Sequence, residues 1–382
     1  MLKRFEVRNY KNFEDTIVID FSRVGGYHFN LDCITSGSIS KMLIYGRNAT
    51  GKTNLGRALM DIAYIVKGEN RIPTEPYTNA NSNCTEAEFK YVFQFEEDEV
   101  IYMYKRVAED MLHDEELYVN GEQVFFYDNL TGNNLFSNLN IIHAETARID
   151  RFLEAVSNAN VEEGTSQDLP FLRWVISNTA ILEESVLLKL NNYVRKMAMI
   201  GSNTNSFIHA KLGSKSFYER LLKENKLQDF EEFLNVMGVE CHLSLMKLPD
   251  GQMQLYFKYE NALVPFLEAA SSGTLALMAL YSRLMILKDV SVLYIDEFDA
   301  FYHYEMSEKV VNFFKKKFAN SQIVMTTHNT NLMTNSLMRP DCLFILSRQG
   351  LLTALCDATP RELREGHNLE KLYISGEFED YE

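Results

Sequence analysis

The spacing of hydrophobic and polar residues changes several times along the chain, and each spacing predicts a different kind of element. Residues 5–21 contain two short strand patterns joined around residues 9–13. In residues 88–127 apolar and polar residues alternate, and Asn120-Gly121 lies between two such runs. Both central residues of a type I′ turn need positive φ, so this pair is a strong hairpin signal. We therefore expect an antiparallel meander over residues 88–127.

A helical spacing replaces the alternation from about residue 135 to residue 236. One predicted helix places a set of apolar residues on one face: Leu182, Val186, Leu187, Leu190 and Val194. Stretches rich in glycine and polar residues predict loops at residues 67–84, 164–167 and 201–205. A second hairpin is expected around Pro249-Asp250-Gly251, because these residue types favour tight turns.

Three short runs are continuously apolar: residues 43–45, 292–295 and 323–325. Strands of a parallel sheet that are buried on both faces have this composition. Helical and apolar-strand patterns alternate after the second hairpin, which is typical of an α/β protein.

A glycine-bounded loop follows the first apolar run and precedes a helical pattern. Gly46, Gly51, Lys52 and Thr53 fill the pattern Gly-x-x-x-x-Gly-Lys-Ser/Thr, which is a P-loop or Walker A motif. The glycines let backbone N–H groups turn toward phosphate oxygens, the lysine brings a positive charge to them, and the threonine hydroxyl can ligate Mg²⁺. A glycine loop without a ligand is the alternative. The strand before the loop and the helix after it favour an ATP phosphate site formed by Gly46, Arg47, Asn48, Ala49, Thr50, Gly51, Lys52, Thr53 and Asn54.

Two acidic residues end the second apolar run. Residues 292–295 lead directly into Asp296 and Glu297, which is the arrangement of a Walker B motif. We expect Asp296 to bind Mg²⁺ through water and Glu297 to act as the general base that polarises the attacking water. Two solvated acids at the end of a strand are the simpler alternative, and the P-loop upstream favours the catalytic interpretation.

Two weaker signals complete the pattern. Residues 270–274, Ala-Ser-Ser-Gly-Thr, begin a helical run and would present a helix N-terminus to an anion. The third apolar run ends near His328, which is placed to donate to a γ-phosphate. Taken singly, the first is usually a helix cap and the second a structural histidine. Their order and spacing relative to the P-loop and the Asp-Glu pair make the combination specific.

The order of these four motifs resembles that of the ABC/SMC-type ATPases, and Asn9-Tyr10-Lys11-Asn12-Phe13 is similar to their N-terminal opening. Within that class the chain resembles the OLD-like AAA ATPases of prokaryotic defence systems. The closing residues 361–368 and 373–378 are similar to the end of that subgroup.

The resemblance implies that two ATPase heads enclose ATP, with the P-loop of one copy facing the signature of another. Ser271 and Gly273 would then contact the γ-phosphate in trans, and Asp299 would lie in a loop that crosses the interface. His328 would be the switch histidine and would act with Glu297 and Lys52 in catalysis.

The chain departs from the family pattern in two places. Ser272 stands where the signature usually has a glycine, so its role is open. The glutamine that usually ligates Mg²⁺ is not evident either. Gln94 and Gln123 are candidates, but both lie in predicted strands, where an outward-facing polar residue is the commoner explanation.

Together, the patterns and the resemblance predict an α/β P-loop NTPase of the ABC-ATPase-head type, with a mixed central sheet, an antiparallel meander and an inserted helical lobe. Residues 1–134 would form the N-terminal half of the ATPase core, residues 135–237 the helical lobe and residues 238–382 the C-terminal half.

Composition and charge mainly exclude other classes of protein. The 382 residues are 46% hydrophobic and 24% charged, as in ordinary soluble proteins, and no apolar run is long enough for a membrane span. We therefore expect a cytoplasmic protein without membrane contact. The five cysteines form no Cys-x-x-Cys pair, which disfavours a zinc site or a disulfide framework. The net charge of −15 disfavours general nucleic-acid binding, and Lys315–Lys317, the one compact basic run, is expected to be a solvated helix end.

The first functional hypothesis is an ATPase that requires Mg²⁺ and forms homodimers or higher oligomers through its ATP sites. We find no second catalytic pattern, and about fifty residues follow His328, too few for an appended nuclease domain. The chain would therefore control a separate toxic effector protein, most simply a nuclease, in anti-phage defence. A phage-derived protein or nucleic acid would be its trigger.

Two alternatives remain open. Arg361 and His367 have an Arg-x5-His spacing that suits acid–base RNA cleavage, as in the anticodon nucleases that share this ATPase class. The same residues also fit the non-catalytic closing segment. A DNA-repair or chromosome-organising ATPase would carry a coiled-coil arm, and no long heptad pattern interrupts this chain.

Overall fold

The computed structural model of the chain describes residues 1–68, 76–159, 169–201, 215–287 and 289–381. The predicted loop at residues 164–167 lies outside the described residues, as do most of the loop at 201–205 and residues 69–75 of the first loop.

The described strands are β1 (Leu2–Arg8), β2 (Ile17–Asp20), β3 (Ile34–Thr35), β4 (Ser38–Ile39), β5 (Lys41–Tyr45), β6 (Ala87–Phe95), β7 (Asp98–Ala108), β8 (Met111–Val119), β9 (Glu122–Asp128), β10 (Asn134–Leu135), β11 (Ala198–Ile200), β12 (Leu243–Lys247), β13 (Met253–Lys258), β14 (Leu263–Pro265), β15 (Val292–Ile295), β16 (Gln322–Thr327), β17 (Leu343–Leu346) and β18 (Leu352–Ala354).

The described helices are α1 (Lys52–Leu59), α2 (Asp61–Lys67), α3 (Ile149–Ala159), α4 (Phe171–Asn178), α5 (Val186–Arg195), α6 (Lys215–Lys223), α7 (Leu227–Val236), α8 (Phe266–Ala269), α9 (Ser272–Leu284), α10 (Tyr304–Lys317) and α11 (Leu369–Ile374). None of these helices combines the length and the apolar character that crossing a bilayer requires.

A six-stranded sheet, in the order β11-β15-β16-β5-β17-β18, forms the centre of the fold. Its first five strands are parallel and β18 is an antiparallel edge. Every residue of β5, β15 and β16 is buried, which confirms the prediction from the apolar runs. Strand β17, which was not predicted, is also buried along its whole length. Because β16 lies between β15 and β5, the carboxyl ends of these three strands lie side by side.

A seven-stranded antiparallel sheet, in the order β10-β9-β8-β7-β6-β1-β2, contains the predicted meander. Asn120 and Gly121 have φ of 50° and 81°, as the turn between β8 and β9 requires. Tyr91 donates from its hydroxyl to the Ala58 carbonyl at 2.8 Å, and the Tyr104 hydroxyl donates to Asp61 Oδ2 at 2.8 Å. These buried bonds attach the meander to the end of α1 and the start of α2.

Residues 135–237 contain α3 to α7, and they also supply β11, which pairs in parallel with the second apolar strand β15. The prediction that Leu182 belongs to the helix of Val186 is wrong. Ser185 caps α5 because its hydroxyl accepts from the Leu187 amide at 3.2 Å. Leu182 therefore precedes the helix, and it is 52% exposed.

A fully buried carboxylate joins this helical segment to the meander. Glu115, on β8, accepts a hydrogen bond from the Tyr102 hydroxyl at 2.8 Å and from the backbone amides of Phe171 and Leu172. These amides belong to the first turn of α4, where N–H groups have no partner within the helix. The second predicted hairpin is also confirmed, since β12 pairs with β13 and β13 with β14.

The basic run near the end of α10 is only partly solvated. Lys316 and Lys317 are exposed, as predicted, but Lys315 is 4% exposed. Its ammonium group donates to Asn30 Oδ1 and to the Leu337 carbonyl, both at 2.9 Å, and pairs with Asp32. The expectation for Lys315 is therefore wrong, because this side chain lies on the inner side of the helix.

Helix α1 packs directly against strand β15. The hydroxyl of Tyr294 donates to the Lys52 carbonyl at 2.5 Å, and the Tyr294 ring lies where a Cβ on Gly56 would stand. Only a glycine at position 56 allows the helix and the strand to approach so closely.

We predict that Gly56→Ala lowers the free energy of unfolding by about 1–3 kcal/mol, because the added methyl group overpacks this contact. The matched control is Gly26→Ala, since no atom lies within 4 Å of a Cβ added there. Urea unfolding followed by circular dichroism measures both changes. Equal midpoints for Gly56→Ala and the wild type would contradict the described packing.

Candidate functional site

The P-loop, residues 46–51, connects β5 to α1 and is braced by the N-terminal segment of the chain. Gly51 has φ of 100°, and a Cβ there would collide with the side chain of Asn12. Asn12 Nδ2 donates to the Thr50 carbonyl at 3.1 Å, and Asn54 Nδ2 donates to Asn12 Oδ1 at 2.8 Å. Asn12 thus supports the loop from outside. This role was not predicted from the sequence, although Asn12 lies in the family-like opening at residues 9–13.

Lys52 is buried at the base of the loop. Its ammonium group donates to the carbonyls of Gly46 and Arg47 at 2.6 and 2.9 Å. Burial lowers the pKa of Lys52, and the nearby carboxylates of Glu297, Asp296 and Asp299 oppose that shift. A cation held between a phosphate-binding loop and several acids is suited to contact a polyphosphate.

The Asp296 carboxylate joins the two Mg²⁺-binding motifs predicted from the sequence. Thr53 Oγ1 donates to Asp296 Oδ2 at 2.6 Å, although the two residues are 243 positions apart. Thr326 Oγ1 donates to Asp296 Oδ1 at 2.9 Å. A hydroxyl and a carboxylate side by side are the hard oxygen donors that Mg²⁺ prefers, so Thr53 and Asp296 fit this ion.

Glu297 follows immediately and has an uncommon backbone conformation. Its φ is 46°, in the left-handed region that is costly for residues other than glycine. The Glu297 amide donates to Thr326 Oγ1 at 2.8 Å, and the Phe298 amide donates to the Thr326 carbonyl at 3.1 Å. Glu297 is half-buried, so water from the solvent side can reach the site.

His328 and Asp299 lie together at the end of β16. His328 is exposed, and Thr327 Oγ1 donates to Asp299 Oδ2 at 2.7 Å. Burial raises the pKa of the Asp299 carboxyl, and the Thr327 hydrogen bond, His328 and Asn329 oppose the increase. The Asp299 side chain is thus held inside its own chain. Whether its loop crosses an interface between copies stays a prediction.

The signature segment lies at the exposed start of α9. Ser271 caps this helix, since its hydroxyl accepts from the Thr274 amide at 3.1 Å, as the simpler interpretation expected. The Phe301 carbonyl lies 3.4 Å from the position of a Cβ on Gly273. Ser271 and Ser272 are exposed, which leaves the helix N-terminus open to an external partner. The contact of Ser271 and Gly273 with a γ-phosphate in trans stays a prediction.

The two glutamines considered as Mg²⁺ ligands lie in the antiparallel sheet. Gln94 Nε2 donates to the Glu96 carbonyl, and Gln123 Nε2 donates to Glu116 Oε2 and to the Tyr118 hydroxyl. These bonds are those of outward-facing strand residues. Thr326 is a second site residue that was not predicted from the sequence. Its place beside Asp296 follows from the pairing of Met325 with Ile295, which only the register of the sheet shows.

Comparisons with known proteins agree with this fold. The model of a family described as "AAA domain, putative AbiEii toxin, Type IV TA system" matches residues 41–334, more than three quarters of the chain. No curated protein matches the sequence.

Solved structures of SMC heads are similar to the chain. An Smc head bound to the C-winged helix domain of ScpA is 16% identical, with a TM-score of 0.50 over 92% of this chain and 96% of that one. The SMC head domain from Thermotoga maritima is 14% identical, with a TM-score of 0.43 over 92% and 98%. An Smc head from Pyrococcus yayanosii is 14% identical, with a TM-score of 0.45 over 93% and 98%. At 16% identity, the similarity to the Smc head bound to the ScpA domain concerns the fold alone. It confirms the predicted α/β P-loop NTPase fold of the ABC-ATPase-head type.

We predict that Lys52→Ala weakens the binding of ATP more than about 100-fold, because a buried charge contact to the phosphates is lost. Isothermal titration calorimetry with MgATP measures the change. Lys247→Ala, at an exposed strand end, is the control and should bind like the wild type. Wild-type affinity in Lys52→Ala would refute the assignment of the P-loop.

Proposed function

The chain belongs to the family described as "AAA domain, putative AbiEii toxin, Type IV TA system", and we propose that it is an ATPase that hydrolyses ATP to ADP and phosphate. The observation that carries the proposal is the 2.6 Å hydrogen bond between Thr53 Oγ1 and Asp296 Oδ2. It brings the Walker A hydroxyl and the Walker B carboxylate to one point beside Lys52, which is the arrangement that Mg²⁺-dependent phosphoryl transfer needs.

Each residue then has one role in hydrolysis. Thr53 and Asp296 would hold Mg²⁺, which supplies positive charge to the β- and γ-phosphates. The P-loop amides and Lys52 bind and orient the phosphates. Glu297 accepts a proton from the attacking water, and His328, exposed at the end of its strand, donates to the γ-phosphate.

Assembly would complete the site. Ser271 is exposed and Gly273 is half-buried. Phe301, whose carbonyl lies near Gly273, is 41% exposed, and Tyr304, three residues further along the chain, is 39% exposed. Large side chains of this kind beside an exposed helix N-terminus suit a surface that another protein covers. A second copy that places its signature over the bound ATP would bury them, so ATP would promote a homodimer or a higher oligomer.

The biological role that we propose is control of a separate toxic effector in anti-phage defence, ending in abortive infection. The support is the family description, which refers to a toxin and to a type IV toxin–antitoxin system. ATP-dependent assembly would then be the event that a phage-derived trigger changes. The effector is most simply a nuclease, which this chain would restrain or release.

The contacts of Arg361 and His367 favour regulation over an RNase activity of the chain itself. Arg361 pairs with Glu377 Oε2 at 3.5 Å, and its amide donates to Thr359 Oγ1. His367 Nδ1 accepts from the Arg364 amide at 3.1 Å. Both residues therefore make contacts within the closing segment itself, which supports the non-catalytic interpretation.

The likeness to SMC heads does not favour a chromosome-organising role. The longest helix among the described residues, α10, has 14 residues, which is two heptads. A coiled-coil arm needs the seam to continue over many more residues.

We predict that Glu297→Gln keeps ATP binding but lowers kcat at least about 100-fold, because a general base contributes that much to proton transfer. The ATP-bound assembly should accumulate and be visible as an increase in mass by light scattering with MgATP. Glu240→Gln, at an exposed position, is the matched control. Wild-type turnover would assign the base to another residue, and an unchanged mass would contradict the composite site.

We predict that the purified chain with MgATP does not cleave RNA or DNA, and that Arg361→Ala and His367→Ala keep at least about half of the ATPase activity. A gel assay on total RNA, transfer RNA and plasmid DNA tests the first point and a phosphate-release assay the second. Cleavage by the wild type that both variants lose, with the ATPase intact, would establish the nuclease alternative instead.

A further inference from the structure

One buried threonine contacts all three residues that turn out of the Walker B strand. The Thr326 hydroxyl donates to Asp296 Oδ1 at 2.9 Å and accepts from the Glu297 amide at 2.8 Å. The Thr326 carbonyl accepts from the Phe298 amide at 3.1 Å. Thr326 is thus hydrogen-bonded to both Walker B acids at once.

The chemistry of the groups determines the direction of both hydroxyl bonds. A carboxylate only accepts and a backbone amide only donates, while a threonine hydroxyl has one hydrogen to donate and lone pairs to accept. Thr326 therefore donates its one hydroxyl hydrogen to Asp296 and accepts from the Glu297 amide. A valine has nearly the same shape, but it could make neither bond.

The position of Thr326 in the sheet makes it a rigid support. It belongs to β16, where it pairs with Ile44 of β5 on one side, and it is 0% exposed. Strand β15 ends at Ile295, opposite Met325, so the chain leaves the sheet one residue later, beside Thr326. The turn that contains both acids is therefore built against a strand that continues straight to Thr327.

The turn needs this support because the backbone of Glu297 lies in the left-handed region. A φ of 46° is unfavourable for glutamate and persists only where surrounding contacts determine it. The bonds from the Glu297 and Phe298 amides to Thr326 help to hold this backbone, together with the bond from the Ala300 amide to the Glu297 carbonyl at 3.1 Å. The hydroxyl of the neighbouring Thr327 donates to Asp299 and not to Asp296.

We propose that Thr326 is a positioning residue for ATP hydrolysis, which directs Asp296 Oδ2 toward Thr53 and holds Glu297 in the conformation of a working base. This inference rests on the proposed role of Glu297 in hydrolysis. Thr326 is 0% exposed, so it acts through the two acids. Loss of its hydroxyl should therefore reduce the rate of hydrolysis much more than the affinity for ATP.

The test compares Thr326→Val, Thr326→Ser and the control Thr353→Val, which changes a threonine on edge strand β18. In Thr326→Val we expect kcat to fall about 10- to 100-fold while the dissociation constant of ATP, measured by calorimetry, changes less than about threefold. Thr326→Ser keeps the hydroxyl and should stay within about threefold of the wild-type kcat. Thr353→Val should match the wild type.

A second readout is independent of activity. Hydrogen exchange of the Glu297 amide, followed by NMR without nucleotide, should be about tenfold faster in Thr326→Val than in the wild type, because its acceptor is gone. If Thr326→Val does not fold, Thr326→Ser tests the inference in its place. A folded serine variant with a kcat reduced tenfold or more would overturn the inference.

The remaining outcomes separate this inference from the proposed function. A wild-type chain that binds ATP but does not hydrolyse it would contradict the proposed function, and the exchange rate of the Glu297 amide would still test the hydrogen bond. A wild-type chain that hydrolyses ATP, together with a Thr326→Val protein of equal kcat and equal exchange, would overturn the role of Thr326 alone.

Discussion

The candidate site depends on the order of three buried parallel strands. β16 lies between β15 and β5, and all three are buried along their whole length. A polar side chain without a partner is costly on such faces, so the P-loop and the acidic pair follow where the strands end. Parallel strands end at the same edge, and there Asp296 accepts hydrogen bonds from Thr53 and Thr326. One carboxylate thus links the P-loop helix, the Walker B turn and the strand before His328.

The elements around this sheet are joined to it by buried polar contacts that lead back to α1 and α2. The meander bonds to Ala58 and Asp61 through two tyrosine hydroxyls, and Glu115 holds the first turn of α4 against the same meander. An unpaired polar group in such a place would be destabilising, so each contact also fixes orientation. The P-loop helix, the meander and the helical segment are therefore connected by hydrogen bonds as well as by apolar packing.

Local sequence patterns predicted most of the fold. They were wrong where a single contact places a residue differently from what its spacing along the chain suggests. The alternation in residues 88–127 and the Asn120-Gly121 turn identified the meander, because strand period and turn chemistry are local properties. Leu182 fits the period of α5, but the Ser185 cap starts the helix later. Lys315 belongs to a basic run, yet its side chain pairs with Asp32 from a distant part of the chain. Neither contact is visible in a helical spacing.

The sequence by itself determined which groups form the candidate site: the P-loop motif, the acidic pair and the histidine are each encoded in a few adjacent residues. The tertiary structure decided how those groups are held. Asn12 supports the P-loop from the N-terminal turn, and Thr326 supports both acids from a neighbouring strand. These supporting residues come from remote positions and have ordinary side chains. Their roles follow from strand order and register, which arise only when the whole sheet packs.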